Sequence, residues 1–172
     1  MKTLKQYILE NQEEKINESF IKFININSKS KLLKLLKDQN SDENKKTGFW
    51  LFDEAIKKDP EMYAEVNGGN WKIKYIEVKY KDKTVGLISY SFDYKNYENE
   101  DIFPTLHIFD IQTLEGYKGF LKYYFKYIET IAKNNKKKTI TLRTYEDGLI
   151  KVYEKYGFKK SKDEENLMTK EL

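Results

Sequence analysis

The chain has 172 residues, 35% of them charged and 39% hydrophobic, with a net charge of +4; that length suits one domain with an extension and is enough to bury a core. Cysteine is absent, which excludes disulfides, thiolate metal sites and a cysteine nucleophile, and the single histidine, His107, argues against a histidine-rich metal site or a Ser-His relay. No stretch approaches the ~20 apolar residues of a membrane helix, and the first residues lack a basic-then-apolar leader pattern, so a soluble, cytoplasmic protein without a metal is expected.

In chain order, residues 1–30 read as a charged, helix-compatible extension. Leu4, Tyr7 and Ile8, then Phe20, Ile21 and Ile24, fall at helical spacing, and 25–30 breaks the pattern with polar residues. Leu32, Leu33, Leu35 and Leu36 form a helical stripe with Lys between them. Phe49, Trp50, Phe52, Ala55 and Ile56 form another, ending near Asp59-Pro60 because proline stops a helix. Asn67-Gly68-Gly69-Asn70 is a turn signal.

From Trp71 the rhythm changes to strands. Residues 71–80 and 84–92 form a hairpin by pattern, turning at Lys81-Asp82-Lys83. A polar loop, 93–101, and Pro104 precede a strand over 105–112. Gly116 and Gly119 mark a short loop. The spacing of Leu121, Tyr124, Phe125, Ile128, Ile131 and Ala132 predicts a helix over about 120–134. Lys136-Lys137-Lys138 reads as a solvated helix end, where cations complement the dipole, rather than as a nucleic-acid patch. Residues 138–144 are a strand, 147–156 a helix capped by Gly157, and 167–170 a last short strand.

The order helix–helix–strand–strand–strand–helix–strand–helix–strand over residues 31–172 resembles the GNAT superfamily of acyl-CoA N-acyltransferases. Val152-Tyr153-Glu154-Lys155-Tyr156-Gly157-Phe158 looks like that family's "LYEKxGF" segment. The resemblance implies an α+β fold: a mixed, mostly antiparallel central sheet flanked by helices, here with an N-terminal helical extension. It also implies acetyl-CoA as co-substrate, an amine acceptor on a small molecule or protein, and leaves a homodimer open.

In the family, a loop of form R/Q-x-x-G-x-G/A leads into a helix, and its main-chain N–H groups hold the CoA pyrophosphate. One register places Lys118-Gly119-Phe120-Leu121 over the "x-G-x-G", with Ile111 at the apolar end of the preceding strand. Gly119 is kept, Gly116 stands where Arg or Gln is usual, and Leu121 where a small residue is usual. A second register, from Leu114 to Gly119, puts Tyr117 on the middle glycine. The loop either binds the pyrophosphate, with Lys118 or Lys122 adding charge, or only turns the chain.

The resemblance assigns Tyr153 as the general acid for the leaving thiolate, since a phenol of pKa near 10 keeps its proton at neutral pH; the alternative is a packing aromatic. The family's "N-x-x-A" reads Glu146-Asp147-Gly148-Leu149 here. Candidate bases are Asp110, His107 and Glu115, with Asp110 preferred. Strict alternation places Asp110 on one strand face with Leu106 and Ile108, and His107 on the other with Phe109 and Ile111.

Residues 1–10, Met1-Lys2-Thr3-Leu4-Lys5-Gln6-Tyr7-Ile8-Leu9-Glu10, look like the capsid-targeting peptide of internal head proteins in some tailed phages, through Tyr7, Ile8 and Glu10. That resemblance implies packaging in a virion and cleavage after Glu10; an amphipathic helix is the alternative. Two readings of the whole chain follow: an N-acetyltransferase, or a GNAT-like module that binds a partner without catalysis.

Overall fold

A computed structural model describes residues 16–39, 49, 73–92, 104–114, 116–162 and 164–172. Most of the second expected helix, the turn at 67–70, the loop at 93–101, Glu115 and the N-terminal ten residues lie outside them. The described chain starts with a single 3-10 turn, Glu18–Phe20, and then runs β1 (Ile21–Ile26), α1 (Lys29–Gln39), β2 (Lys74–Tyr80), β3 (Lys83–Phe92) and β4 (Thr105–Thr113). It continues with α2 (Leu121–Asn134), β5 (Thr139–Arg143), α3 (Asp147–Glu154), β6 (Lys159–Lys160) and β7 (Leu167–Glu171).

The seven strands make one sheet in the order β1-β2-β3-β4-β5-β7-β6. All neighbours are antiparallel except β4 and β5, which run parallel and are joined by the α2 crossover. The fold is thus the mixed, mostly antiparallel α+β architecture expected. The β2–β3 hairpin turns on Lys81 and Asp82, both at positive φ (50° and 63°), the conformation whose twist matches that of the flanking strands. Asp82 in turn holds Lys22 of β1 at 2.6 Å.

One expectation is corrected. The helical spacing of Phe20, Ile21 and Ile24 gives way to strand β1, paired with β2 from Ile21↔Tyr80 to Ile26↔Tyr75. Ile21-Lys22-Phe23-Ile24-Asn25-Ile26 satisfies both periodicities, and its β-branched and aromatic side chains suit a pleated surface better than a helix. Ile21 and Phe23 face α2, where the Phe23 ring stacks on Tyr127 at 3.9 Å.

The two sheet faces are covered by different helices. On one, Ile76, Val78, Ile88, Tyr90, Leu106, Ile108, Ile140 and Leu142 pack under Tyr124, Phe125, Ile128 and Ala132 of α2. Each large apolar side chain buried there contributes roughly 1.5–3 kcal/mol. Phe125 joins α2 to the chain just past α3, lying 5.0 Å from both the Tyr156 and Phe158 rings. On the other face, Leu32 and Leu36 of α1 pack with Ile26, Phe49, Ile73, Tyr75 and Leu87.

Candidate active site

The site begins where the only parallel pair among the described strands comes apart. β4 and β5 pair from Thr105↔Thr139 to Ile108↔Leu142 and no further. β5 ends at Arg143, whereas β4 continues on β3 alone to Thr113. The parting coincides with a bulge: Ser89 opposes Asp110 and Tyr90 opposes Ile108, so Phe109 is the extra residue. A bulge bends its strand and disrupts the local ladder, which lets β4 leave β5 at this point.

The bulge also corrects the expected strand faces. Beyond Phe109 the alternation shifts by one residue, so Ile111 packs with Leu106 and Ile108 against the α2 cluster, whereas Phe109 joins the α1 side. Asp110 does not share a face with Leu106 and Ile108. It lies with Ser89, whose Oγ accepts from the Asp110 N–H at 3.1 Å and donates to Asp110 Oδ2 at 3.3 Å. Asp110 is half-buried and Ser89 fully buried.

His107 is a structural residue. It is 2% exposed, with Nδ1 2.9 Å from Thr141 Oγ1 on β5 and its ring edge-on to Phe109 at 4.9 Å. Burial, with the Arg143 charge second, pushes its pKa down to about 3, so the imidazole stays neutral and ties β4 to β5 just before they part.

After β4 the described chain continues at Leu114 and over 116–120. The Leu114 N–H donates to Val85 O at 2.9 Å and the Tyr117 N–H to Leu114 O at 3.2 Å. Gly116 (φ 87°) and Gly119 (φ 81°) both take the left-handed conformation, which glycine adopts without a Cβ penalty. α2 then starts from Phe120 with no side-chain cap and no acid in its first turn. The first N–H groups of a helix have no intrahelical acceptor, and here no capping side chain fills that role. Lys118 and Lys122 are exposed beside them, and a helix start of this kind favours negative charge.

The expected loop residues divide into two kinds. Gly116, Lys118 and Gly119 are exposed, whereas Phe120 is a core side chain, edge-on to Tyr80 at 5.4 Å, and Leu121 packs partly against the same core. Phe120 and Leu121 therefore offer a ligand only their main chain. The segment before β1 meets this loop too: Ile16 Cδ1 lies 3.4 Å from where a Cβ on Gly119 would stand, and the Tyr123 hydroxyl donates to Ile16 O at 3.2 Å.

Tyr153 comes from α3, which follows β5, and packs against the α2 cluster. Its ring is edge-on to Phe125 at 6.0 Å and 6.2 Å from Phe158. The chain reverses after it because Gly157 takes φ 87°, and the Tyr153 carbonyl accepts from the N–H groups of Tyr156 and Phe158. Burial raises the Tyr153 pKa, and the charges of Glu146 and Asp110 raise it further. The phenol packs in the α2 cluster and lies in electrostatic reach of Asp110.

Ser89 was missed by the sequence reading; it is the first of three consecutive hydroxyl side chains, Ser89-Tyr90-Ser91, after the apolar Leu87-Ile88. Arg143, ion-paired with Glu164, was missed as well. Among the described residues no group of His, Asp and Glu could hold a metal ion, and no helix is long and apolar enough to cross a membrane.

No family model matches the chain, and no curated protein matches it. Its fold does match solved structures. A GNAT family acetyltransferase from Elizabethkingia anophelis, with acetyl-CoA bound, is 18% identical at a TM-score of 0.54, over 90% of this chain and 100% of its own. The PaiA N-acetyltransferase from Thermoplasma acidophilum, in complex with coenzyme A, is 15% identical at 0.56, over 88% and 99%. A Vibrio cholerae spermidine N-acetyltransferase chimera is 14% identical at 0.56, over 88% and 95%. At such identities the likeness establishes a shared, GNAT-like fold and leaves the chemistry to the residues.

Proposed function

We infer that this chain is a GNAT-type N-acetyltransferase that moves an acetyl group from acetyl-CoA to an amine acceptor. The observation that carries the reading is the parting of β4 and β5 at the Phe109 bulge beside the uncapped start of α2. The donor set fits the co-substrate. Main-chain N–H groups from Gly119 to Lys122 suit a pyrophosphate, with Lys118 and Lys122 as nearby cations. Gly116 leaves open space at the loop, and Ile111 gives apolar surface along the parted strand.

Acetyl-CoA supplies the activated acetyl as a thioester. The chain supplies the two proton carriers. The amine nitrogen forms its C–N bond to the acetyl carbon as the C–S bond breaks. Asp110 takes the proton the amine sheds, and the Tyr153 hydroxyl gives its proton to the departing sulfur. A phenol with a raised pKa keeps that proton at neutral pH. The spermidine acceptor of one solved neighbour supports an amine as the acceptor class.

Calorimetry and thermal melts with acetyl-CoA test the reading. A ligand at 100 times its Kd stabilises the folded state by about 2.7 kcal/mol, which is easily read as a melting shift. Neither heat nor shift at millimolar acetyl-CoA would overturn it and favour a non-catalytic GNAT-like module. Two features support that second reading: bulky Leu121 at a position for a small residue, and Ile16 beside Gly119.

A further inference from the structure

Asp110 sits one residue past the bulge, where β5 no longer flanks β4. A carboxylate at such a place has one strand neighbour to orient it, β3, and the residue facing it there is Ser89. That hydroxyl engages the same partner twice, accepting from the Asp110 N–H and donating to its carboxylate. Ser89 is fully buried, so its rotamer is confined by packing and its proton has few other places to go. Two residues along β3, on the same face, Ser91 is equally buried, yet its Oγ has no hydrogen-bond partner among the described residues.

Resting on the acetyl-transfer reading, we propose that Ser89 is the positioning residue for Asp110, fixing its carboxylate at the parted end of β4 and favouring its ionised, proton-accepting form. The bond to the main-chain N–H anchors the hydroxyl at the bulge, and the bond to Oδ2 then sets where the carboxylate points. A donor to a carboxylate stabilises the charged form. Loss of the hydroxyl therefore removes that donor and makes Asp110 easier to protonate. Among the described residues, Tyr153 on α3 is in electrostatic reach of Asp110, Glu146 acts on Tyr153, and the charge of Arg143 acts on His107 earlier in β4. All of them stay in place in the variants below.

The test follows the Asp110 carboxyl by carbon-13 NMR across pH in the full chain, with Asp110→Asn identifying the signal. It runs beside the pH profile of kcat/KM for acetyl transfer. Ser89→Ala is expected to raise the titration midpoint by about one pH unit and to move the acid limb of the profile with it. Its kcat should fall several-fold with the KM for acetyl-CoA unchanged. Ser89→Thr, which keeps the hydroxyl, should restore the midpoint, and Ser91→Ala should leave it where it was. Ser89→Cys, similar in size but a weak donor, replaces the alanine variant if that one does not fold. A folded Ser89→Ala or Ser89→Cys protein whose midpoint is unchanged overturns the proposal. A shifted midpoint in a chain that acetylates no amine keeps the Ser89–Asp110 assignment and removes the acetyl-transfer reading instead.

Discussion

Gly86→Ala is expected to be the most damaging one-methyl change in the sheet. Gly86 lies in β3, next to the extra residue Val85, between Val78 of β2 and Thr113 of β4. Tyr124 of α2 lays its ring into the space a side chain would fill. A Cβ at position 86 would stand 2.0 Å from Tyr124 Oη, 2.7 Å from Tyr124 Cζ and 3.1 Å from the Gln112 carbonyl oxygen. Carbon contacts settle at about 3.5–4.0 Å, so the ring has to withdraw by about 1.5 Å. It has little room to do so: Tyr124 is fully buried, edge-on to Phe23 at 6.4 Å and beside Phe120 at 6.3 Å. Overpacking of this kind costs typically about 1–3 kcal/mol, and the distances put Gly86→Ala at the upper end. For a chain of this size about 3 kcal/mol lowers Tm by roughly 6–12 °C. Urea and thermal melts followed by circular dichroism read the loss. Tyr124→Phe removes the atom at 2.0 Å, so the double variant should recover about 1 kcal/mol or more of coupling in a double-mutant cycle. Tyr124 belongs to the first turns of α2, so Gly86→Ala should also weaken acetyl-CoA binding. A Gly86→Ala protein within about 0.5 kcal/mol of the parent, or a strictly additive double variant, would refute this packing.

Tyr153→Phe keeps the ring that packs on Phe125 and Phe158 and removes only the hydroxyl. Stability should change little, whereas kcat should fall by about 10²–10⁴ with acetyl-CoA affinity retained; a kcat within a few-fold of the parent would place Tyr153 in the core alone. His107 makes stability pH-dependent. Its folded pKa, about 3, lies below the unfolded value near 6.5, so the unfolded chain binds the extra proton first. Its contribution is fully present above pH ~6.5 and is lost as pH falls toward 3, by about 1.4 kcal/mol per pH unit. Denaturation curves at pH 7, 6 and 5 should show this slope, and His107→Gln should flatten it by one proton; equal slopes in both proteins would contradict the buried, neutral imidazole.

What the sequence determined by itself is local. The apolar period of 121–132 set α2, the 74–92 alternation set the hairpin, and glycine at 116, 119 and 157 marked three places where the observed φ is positive. Each of these signals is complete within one segment, through side-chain period or backbone sterics. The segment 21–26 fits helix and strand alike, so only the pairing offered by β2, distant in the chain, decided it. A bulge is likewise a property of two strands in register and leaves no mark on one of them. The extra residue at Phe109 was therefore invisible in the sequence. With it went the true faces of Asp110 and Ile111, the role of Ser89, and the point where β4 leaves β5. The residue types of the candidate chemistry were legible; where each stands belongs to the tertiary structure, because strand pairing and helix packing place each of them from a different element.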